Sequence, residues 1–227
     1  MMTDINFRSD TVVELIDFMG GDERAVQAAR VSTKGEASRG AQSGVQGLIR
    51  YLMRESHHVP FEHSVFTFYI EAPIFVTRQL LKHRISSISE TSGRYRELEP
   101  DFYVPAYDRP LVQVGKTGDY QFELGSDVQY GATVGFIWET STDAWSAYSR
   151  MLEEGIAKEV ARMVLPTNLY SSMYLTLNAR SLMNVLDLRT SSKGSHPQKE
   201  IEMVAQQIED YFEARMPLTY QAYKEAL

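Results

Sequence analysis

Between Arg78 and Arg96 five basic side chains, Arg78, Lys82, Arg84, Arg94 and Arg96, are set against a single acid, Glu90, with His83 among them. The run Gln79-Leu80-Leu81-Lys82-His83-Arg84 ends a predicted helix and delivers its cations into a loop full of hydroxyls. That loop returns Glu90-Thr91-Ser92-Gly93-Arg94. Arginine grips phosphate through a planar fork, hydroxyls add neutral donors, and glycine lets the backbone N–H approach an anion closely. A solvated basic loop is the bland reading of such a run. The clustering of Ser92, Gly93 and Arg94 at its end favours a small anion such as a nucleotide phosphate.

Two further constellations could carry chemistry. His57, His58, Glu62 and His63 crowd one turn of chain. They suit either a metal or hydrogen bonding to a cofactor, and the spacing of the usual zinc motifs is absent. The other runs from Glu159 to Arg189. Arg162 follows Glu159 by three, and Asn178 and Arg180 open a helix on which Asn184 shares the face of Arg180. Glu159 and Arg162 could simply pair, and Asn178 could simply cap its helix. Amides beside an arginine also suit the edges of a heterocycle, which offer donors and acceptors together. The aromatics Trp138, Trp145, Tyr148, Tyr170 and Tyr174 could stack on a ring, but their helical and strand spacing reads as core.

The elements that must position these groups follow from periodicity and punctuation. Val12–Met19 reads as a strand ending at Gly20-Gly21. Asp22 caps a helix through Arg30, and Ser43–Arg54 is a second helix. Alternation makes Glu62–Ala72 the clearest strand. Pro73 opens a helix over Ile74–Lys82. ISSISETSGRY reads as a loop, and Val112–Tyr130 as an exposed excursion. Helices follow over Thr133–Glu154 and Glu159–Val164, then a weak strand over Leu169–Leu177, then helices over Asn178–Leu188 and Pro197–Arg215, the last with Ile201, Val204, Ile208 and Phe212 as its buried stripe. Strands mixed with helices along one chain predict a single α+β domain over residues 1–227, with a mixed β-sheet flanked by helices.

Composition narrows the function. The chain has 227 residues, enough for a full core, and a net charge of −7, which disfavours a general nucleic-acid binder. It has no cysteine, which removes disulfides, thiolate metal sites and thiol nucleophiles. The opening MMTDINFRSD has no apolar stretch and no segment reaches the length of a membrane span, so the expected location is cytoplasmic.

Lys82-His83-Arg84, seven residues, then Ser92 resembles the Arg-His-Arg, seven residues, Ser signature of the flavin-dependent thymidylate synthases. HVPFEHSVFTF, EAPIFVTRQLLKHR, ETSGRY, EVARMVLP and NLYSSMYLTLNARSLMNVLDLR resemble family segments in the family's order. The likeness runs from about Val12 to the C-terminus and is weakest between Ala106 and Gly131. It implies a homotetramer with active sites where subunits meet. It implies methylation of dUMP to dTMP, with 5,10-methylenetetrahydrofolate as carbon donor and FAD reduced by NADPH as hydride source. By the same resemblance Gln79, Leu80, Leu81, Lys82, Glu90, Thr91, Ser92, Gly93, Arg94, Arg162 and Arg189 bind dUMP. His57, Lys82, His83, Arg84, Glu90, Asn178, Arg180, Asn184 and His196 line the FAD site, and no metal is expected. Arg189 is the arginine at the pyrimidine.

Three positions depart from the pattern. Lys82 keeps the charge of the signature arginine but loses its fork. Val59 stands where threonine is frequent, and SSKGS lengthens the approach to His196. The family's route through flavin agrees with the missing cysteine, because the other thymidylate synthase chemistry attacks uracil with a thiolate. Ser92 has no His or Lys evidently placed to activate it, so it is assigned to binding. The alternatives are a non-catalytic nucleotide-binding module and a His-rich nucleotide metallohydrolase.

Overall fold

A computed structural model describes residues 4–40, 44–116 and 119–227. The first half carries β1 (Asn6–Arg8), β2 (Val12–Met19), α1 (Asp22–Lys34), α2 (Val45–Arg54), β3 (Val65–Pro73), α3 (Ile74–Leu80), β4 (Ser87–Glu90) and β5 (Asp101–Tyr103). The second half carries β6 (Val112–Lys116), β7 (Asp119–Glu123), α4 (Asp127–Glu153), α5 (Lys158–Ala161), β8 (Tyr170–Asn178), α6 (Ala179–Arg189), α7 (Lys199–Arg215) and α8 (Pro217–Glu225). Helices and sheets share one chain, so the class is α+β. The chain divides into two compact units, which it enters alternately. One comprises residues 1–11, 71–78 and 90–172, and the other residues 12–70, 79–89 and 173–227.

The second of these units holds most of a four-stranded sheet in the order β2-β3-β8-β4. Alternation along β3 is real: Phe66, Phe68 and Ile70 are fully buried, while Val65, Thr67 and Tyr69 are only partly so. The stripe expected on α7 is also real, since Ile201, Val204, Ile208 and Phe212 are fully buried. Phe212 meets Phe66 edge to face at 6.1 Å. Asp22 does not cap α1. Gly21 takes that position, and the helix runs on to Lys34. The Asp22 carboxylate instead accepts from the Leu218 and Thr219 N–H groups, each at 2.9 Å, and so caps the start of α8.

Ser64 ties three elements together at the head of β3. Its hydroxyl accepts from the Gly21 N–H at 3.0 Å, and its carbonyl accepts from the Ala179 N–H at 2.8 Å. Gly20 sits against it at φ +109, where a Cβ would lie 2.5 Å from the Ser64 hydroxyl. Both the backbone angle and the lack of space require glycine there.

In the other unit β1 runs parallel to β5, pairing Phe7 with Phe102. Phe102, Trp145, Tyr148, Ala161 and Leu169 form the core, flanked by Phe7, Ile74 and Leu98. Of the aromatics expected in the core, Trp145, Tyr148 and Tyr170 are buried, but Trp138 is 55% exposed and, in the second unit, Tyr174 is 49% exposed.

Several boundaries differ from expectation. α2 begins at Val45, and Ser43 lies outside the described residues. Glu62 and His63 belong to a 3-10 turn, so β3 begins at Val65. The segment expected to be wholly loop after Arg84 contains β4. The excursion from Val112 contains a hairpin, with β6 antiparallel to β7. α4 then starts six residues early, because Ser126 and Gln129 form a reciprocal capping box.

Candidate active site

In the unit of residues 12–70, 79–89 and 173–227, α3 ends in a tight turn: the Lys82 N–H donates to the Gln79 carbonyl and the His83 N–H to the Leu80 carbonyl. This turn leaves Leu80 in the core and exposes Leu81, Lys82 and Arg84. It also points Gln79 and His83 at Arg189, the last residue of α6. Arg189 Nε donates to His83 Nε2 at 3.1 Å, Nη1 to Gln79 Oε1 at 3.4 Å, and Nη2 to the Gln79 carbonyl at 3.3 Å. His83 must therefore be neutral, with its proton on Nδ1. Burial, and then the Arg189 charge, hold its pKa below the ordinary 6.5. Burial also lowers that of Arg189. Arginine has five N–H groups, and three are engaged; among the described residues one on each terminal nitrogen has no partner.

The same unit contains a cavity of about 310 Å³ lined by His58, Arg180, Met183, Asn184, Asp187 and Lys193, among others. Arg180, Met183, Asn184 and Asp187 share one face of α6 at helical spacing. Arg180 is held by Glu62 at 2.5 Å. Asp187 accepts from Tyr223 Oη at 2.9 Å and pairs with Lys193 at 3.0 Å. Burial, and then Arg180, lower the pKa of His58. A guanidinium, an amide and a neutral imidazole around an opening suit the polar edges of a flavin. His58 lines this cavity, whereas the His57 ring packs on Tyr51. Asn178 does cap α6, its side-chain oxygen accepting from the Ser181 N–H at 2.8 Å. Lys82, Arg84 and His196 are exposed and have no side-chain partner among the described residues.

In the other unit the loop after β4 is held from below. Glu90 accepts from Ser171 Oγ at 2.7 Å, and the Thr91 N–H donates to the Ser172 carbonyl at 2.8 Å. The Ser92 hydroxyl accepts from the Arg94 N–H at 3.3 Å, and the Ser92 carbonyl accepts from the N–H groups of Tyr95 and Arg96. Gly93 is buried, and a Cβ on it would lie 2.8 Å from Leu98 Cδ1 and 3.3 Å from Arg162 Cδ. Gly93 thus lies against Arg162, with Arg94 next to it in the chain. Glu159 pairs with Arg94 at 2.8 Å, not with Arg162 as in the bland reading of that helix.

Asp187 and Lys193, which also line the cavity, were not singled out from the sequence, whereas His58 was, as one of the clustered histidines. Continuing the Arg180–Asn184 spacing one turn would have reached Asp187. Among the described residues no three His, Asp or Glu side chains gather as a metal site, and no helix is long and apolar enough to cross a membrane.

The model of the family described as "Thymidylate synthase complementing protein" matches residues 14–218. A flavin-dependent thymidylate synthase of Tropheryma whipplei (strain TW08/27) is 49% identical over 225 residues, covering 96% of this chain and 94% of that protein. This chain belongs to the flavin-dependent thymidylate synthase family. One from Streptomyces avermitilis is also 49% identical, covering 96% of this chain and 92% of its own. The crystal structure of a UMP/dUMP methylase PolB from Streptomyces cacaoi, bound with 5-Br dUMP, superposes with a TM-score of 0.92. That protein is 46% identical, and 97% of each chain is covered.

Proposed function

We propose that this chain methylates dUMP to dTMP, with 5,10-methylenetetrahydrofolate as carbon donor and FAD, reduced by NADPH, as hydride source. The observation that carries the proposal is the Arg189 guanidinium, fixed by Gln79 and His83 with two N–H groups that have no partner among the described residues. Uracil is a poor carbon nucleophile until its ring gains electron density. A preorganised cation at the pyrimidine stabilises negative charge as the ring N3 proton is lost. Bound flavin supplies hydride chemistry that no amino-acid side chain offers. Arg180, Asn184 and His58 would hold the edges of that flavin. Ser92, the Gly93 N–H, Arg94 and Arg162 would hold the nucleotide phosphate, and Lys82, Arg84, Asn178 and His196 contribute to the flavin side. The kinship with a UMP/dUMP methylase supports the substrate.

Assembly as a homotetramer and a cytoplasmic location belong to the same proposal. Val128, Phe136 and Trp138 on α4 are 81%, 69% and 55% exposed in the single chain, which supports self-association. The test is a visible spectrum of the purified protein followed by an assay for dTMP. Flavin bands with turnover support the proposal. Nucleotide binding without turnover by flavin-loaded protein overturns it. Light scattering that finds an active monomer removes the tetramer.

A further inference from the structure

Gln198, immediately before α7, has no place in the chemistry described so far. It stands at the N-cap of that helix, yet its side chain makes no capping bond. Its Oε1 instead accepts from Gln79 Nε2 at 2.6 Å. We infer that Gln198 is a positioning residue: by accepting the amide proton of Gln79 it helps to hold the oxygen end of that amide towards Arg189.

The logic lies in donors and acceptors. A guanidinium has only donors, so whatever meets Arg189 Nη1 must be an acceptor. Gln79 can satisfy this with Oε1 only if its NH2 points the other way, and an amide is free to turn over unless something distinguishes its two ends. Arg189 already favours the oxygen end, and Gln198 reinforces that choice by offering its own oxygen to the NH2. The polarity then runs one way along the chain, from Gln79 to Gln198 and from Arg189 to Gln79 and His83. Were Gln79 to turn, its NH2 would confront the guanidinium, donor against donor. The bond from Arg189 Nη1 is long, 3.4 Å, so it depends on its surroundings for direction. Gln198 is exposed, so exchanging its side chain removes little buried surface.

This inference rests on Arg189 acting as proposed, and the test separates the two. Gln198→Met removes the acceptor at nearly constant shape, Gln198→Ala removes it by truncation, and Gln198→Glu keeps it. The expected result is a kcat for dTMP formation about tenfold lower in the Met and Ala variants, the worth of one neutral hydrogen bond. The KM for dUMP and the melting temperature should stay near those of the parent, and Gln198→Glu should keep most of the rate. In an Arg189→Ala background Gln198→Met should cost nothing further, because the residue acts only through that guanidinium. If Arg189→Ala alone leaves turnover unchanged, the proposed function fails first and the inference falls with it. If Arg189→Ala is crippled, the inference alone is overturned by any of three results: Met and Ala variants at the parent rate, a Glu variant as impaired as these, or an undiminished Gln198→Met effect without Arg189.

Discussion

The two gatherings of arginine differ in how they are held. Arg94 is 58% exposed at its side chain and leans on Glu159, itself 48% exposed, across one ion pair. Arg189 is half-buried and, among the described residues, held by neutral groups alone, a histidine nitrogen, an amide oxygen and a backbone carbonyl. A carboxylate partner can be displaced by a competing anion, and exposed pairs are worth at most about 1 kcal/mol. Neutral partners instead orient a cation without cancelling its charge. The first arrangement suits capture of an anion from water, and the second suits stabilising charge that appears during a reaction.

The largest effect should come from breaking the second arrangement. Arg189→Ala should lower dTMP formation by about a hundredfold to a thousandfold while changing dUMP affinity far less, and Arg189→Lys should restore little of it. Steady-state kinetics beside calorimetric dUMP titration would decide. A folded, flavin-loaded variant turning over at the parent rate ends the catalytic assignment.

Arg94→Ala should show the opposite pattern, with dUMP affinity reduced by roughly tenfold or more and flavin content unchanged. Its partner sharpens the contrast. Glu159→Gln frees Arg94 from its competing carboxylate, so it should tighten dUMP binding by about fivefold at most. Weaker binding in Glu159→Gln would mean that the carboxylate orients Arg94 instead of competing for it. Gly93→Val forces a side chain against Leu98 and Arg162. Overpacking of this kind costs about 1–3 kcal/mol, visible as a lower melting temperature together with weaker dUMP binding. An unchanged variant would show that the loop has room to spare.

The smallest effect is electrostatic. His83 has a folded-state pKa below the ordinary 6.5, so the unfolded chain binds the proton more readily. Its contribution to stability is therefore complete above about 6.5 and is lost as pH falls through the folded value. His58 titrates with the same sign. His83→Asn can keep an acceptor for Arg189 but has no proton to gain, so its melting temperature should fall less between neutral and mildly acidic pH. Parallel pH profiles for parent and variant would show that His83 takes no part.

How much of this was legible in the sequence depends on whether a signal was local. The β3 alternation and the α7 stripe were read correctly because burial imposes its period on the residues themselves. The gathering of Ser92, Gly93 and Arg94 was legible because the three are neighbours in sequence. The hairpin from Val112 to Glu123 was not, since its strands pair with each other and leave no fully buried face. β4 was missed for its brevity and its hydroxyls. Trp138 and Tyr174 were misplaced because periodicity marks an apolar face without saying what covers it. Asp22 was recognised as a cap but assigned to the wrong helix, for the α8 start lies nearly two hundred positions away along the chain. Gln198 left no signal, because its partner is fixed only by the fold.

The fit of Gly20 against Ser64 has a consequence for how this chain can diverge. With 2.5 Å between a hypothetical Cβ and the serine hydroxyl, the two positions share one volume. In a library randomised at both, survivors should keep glycine at position 20 almost without exception, since its backbone angle admits little else. Position 64 should then tolerate only small side chains, and those without a hydroxyl should persist only at reduced thermal tolerance. Drift over long times would accordingly leave this corner nearly motionless, while the surfaces around it change freely.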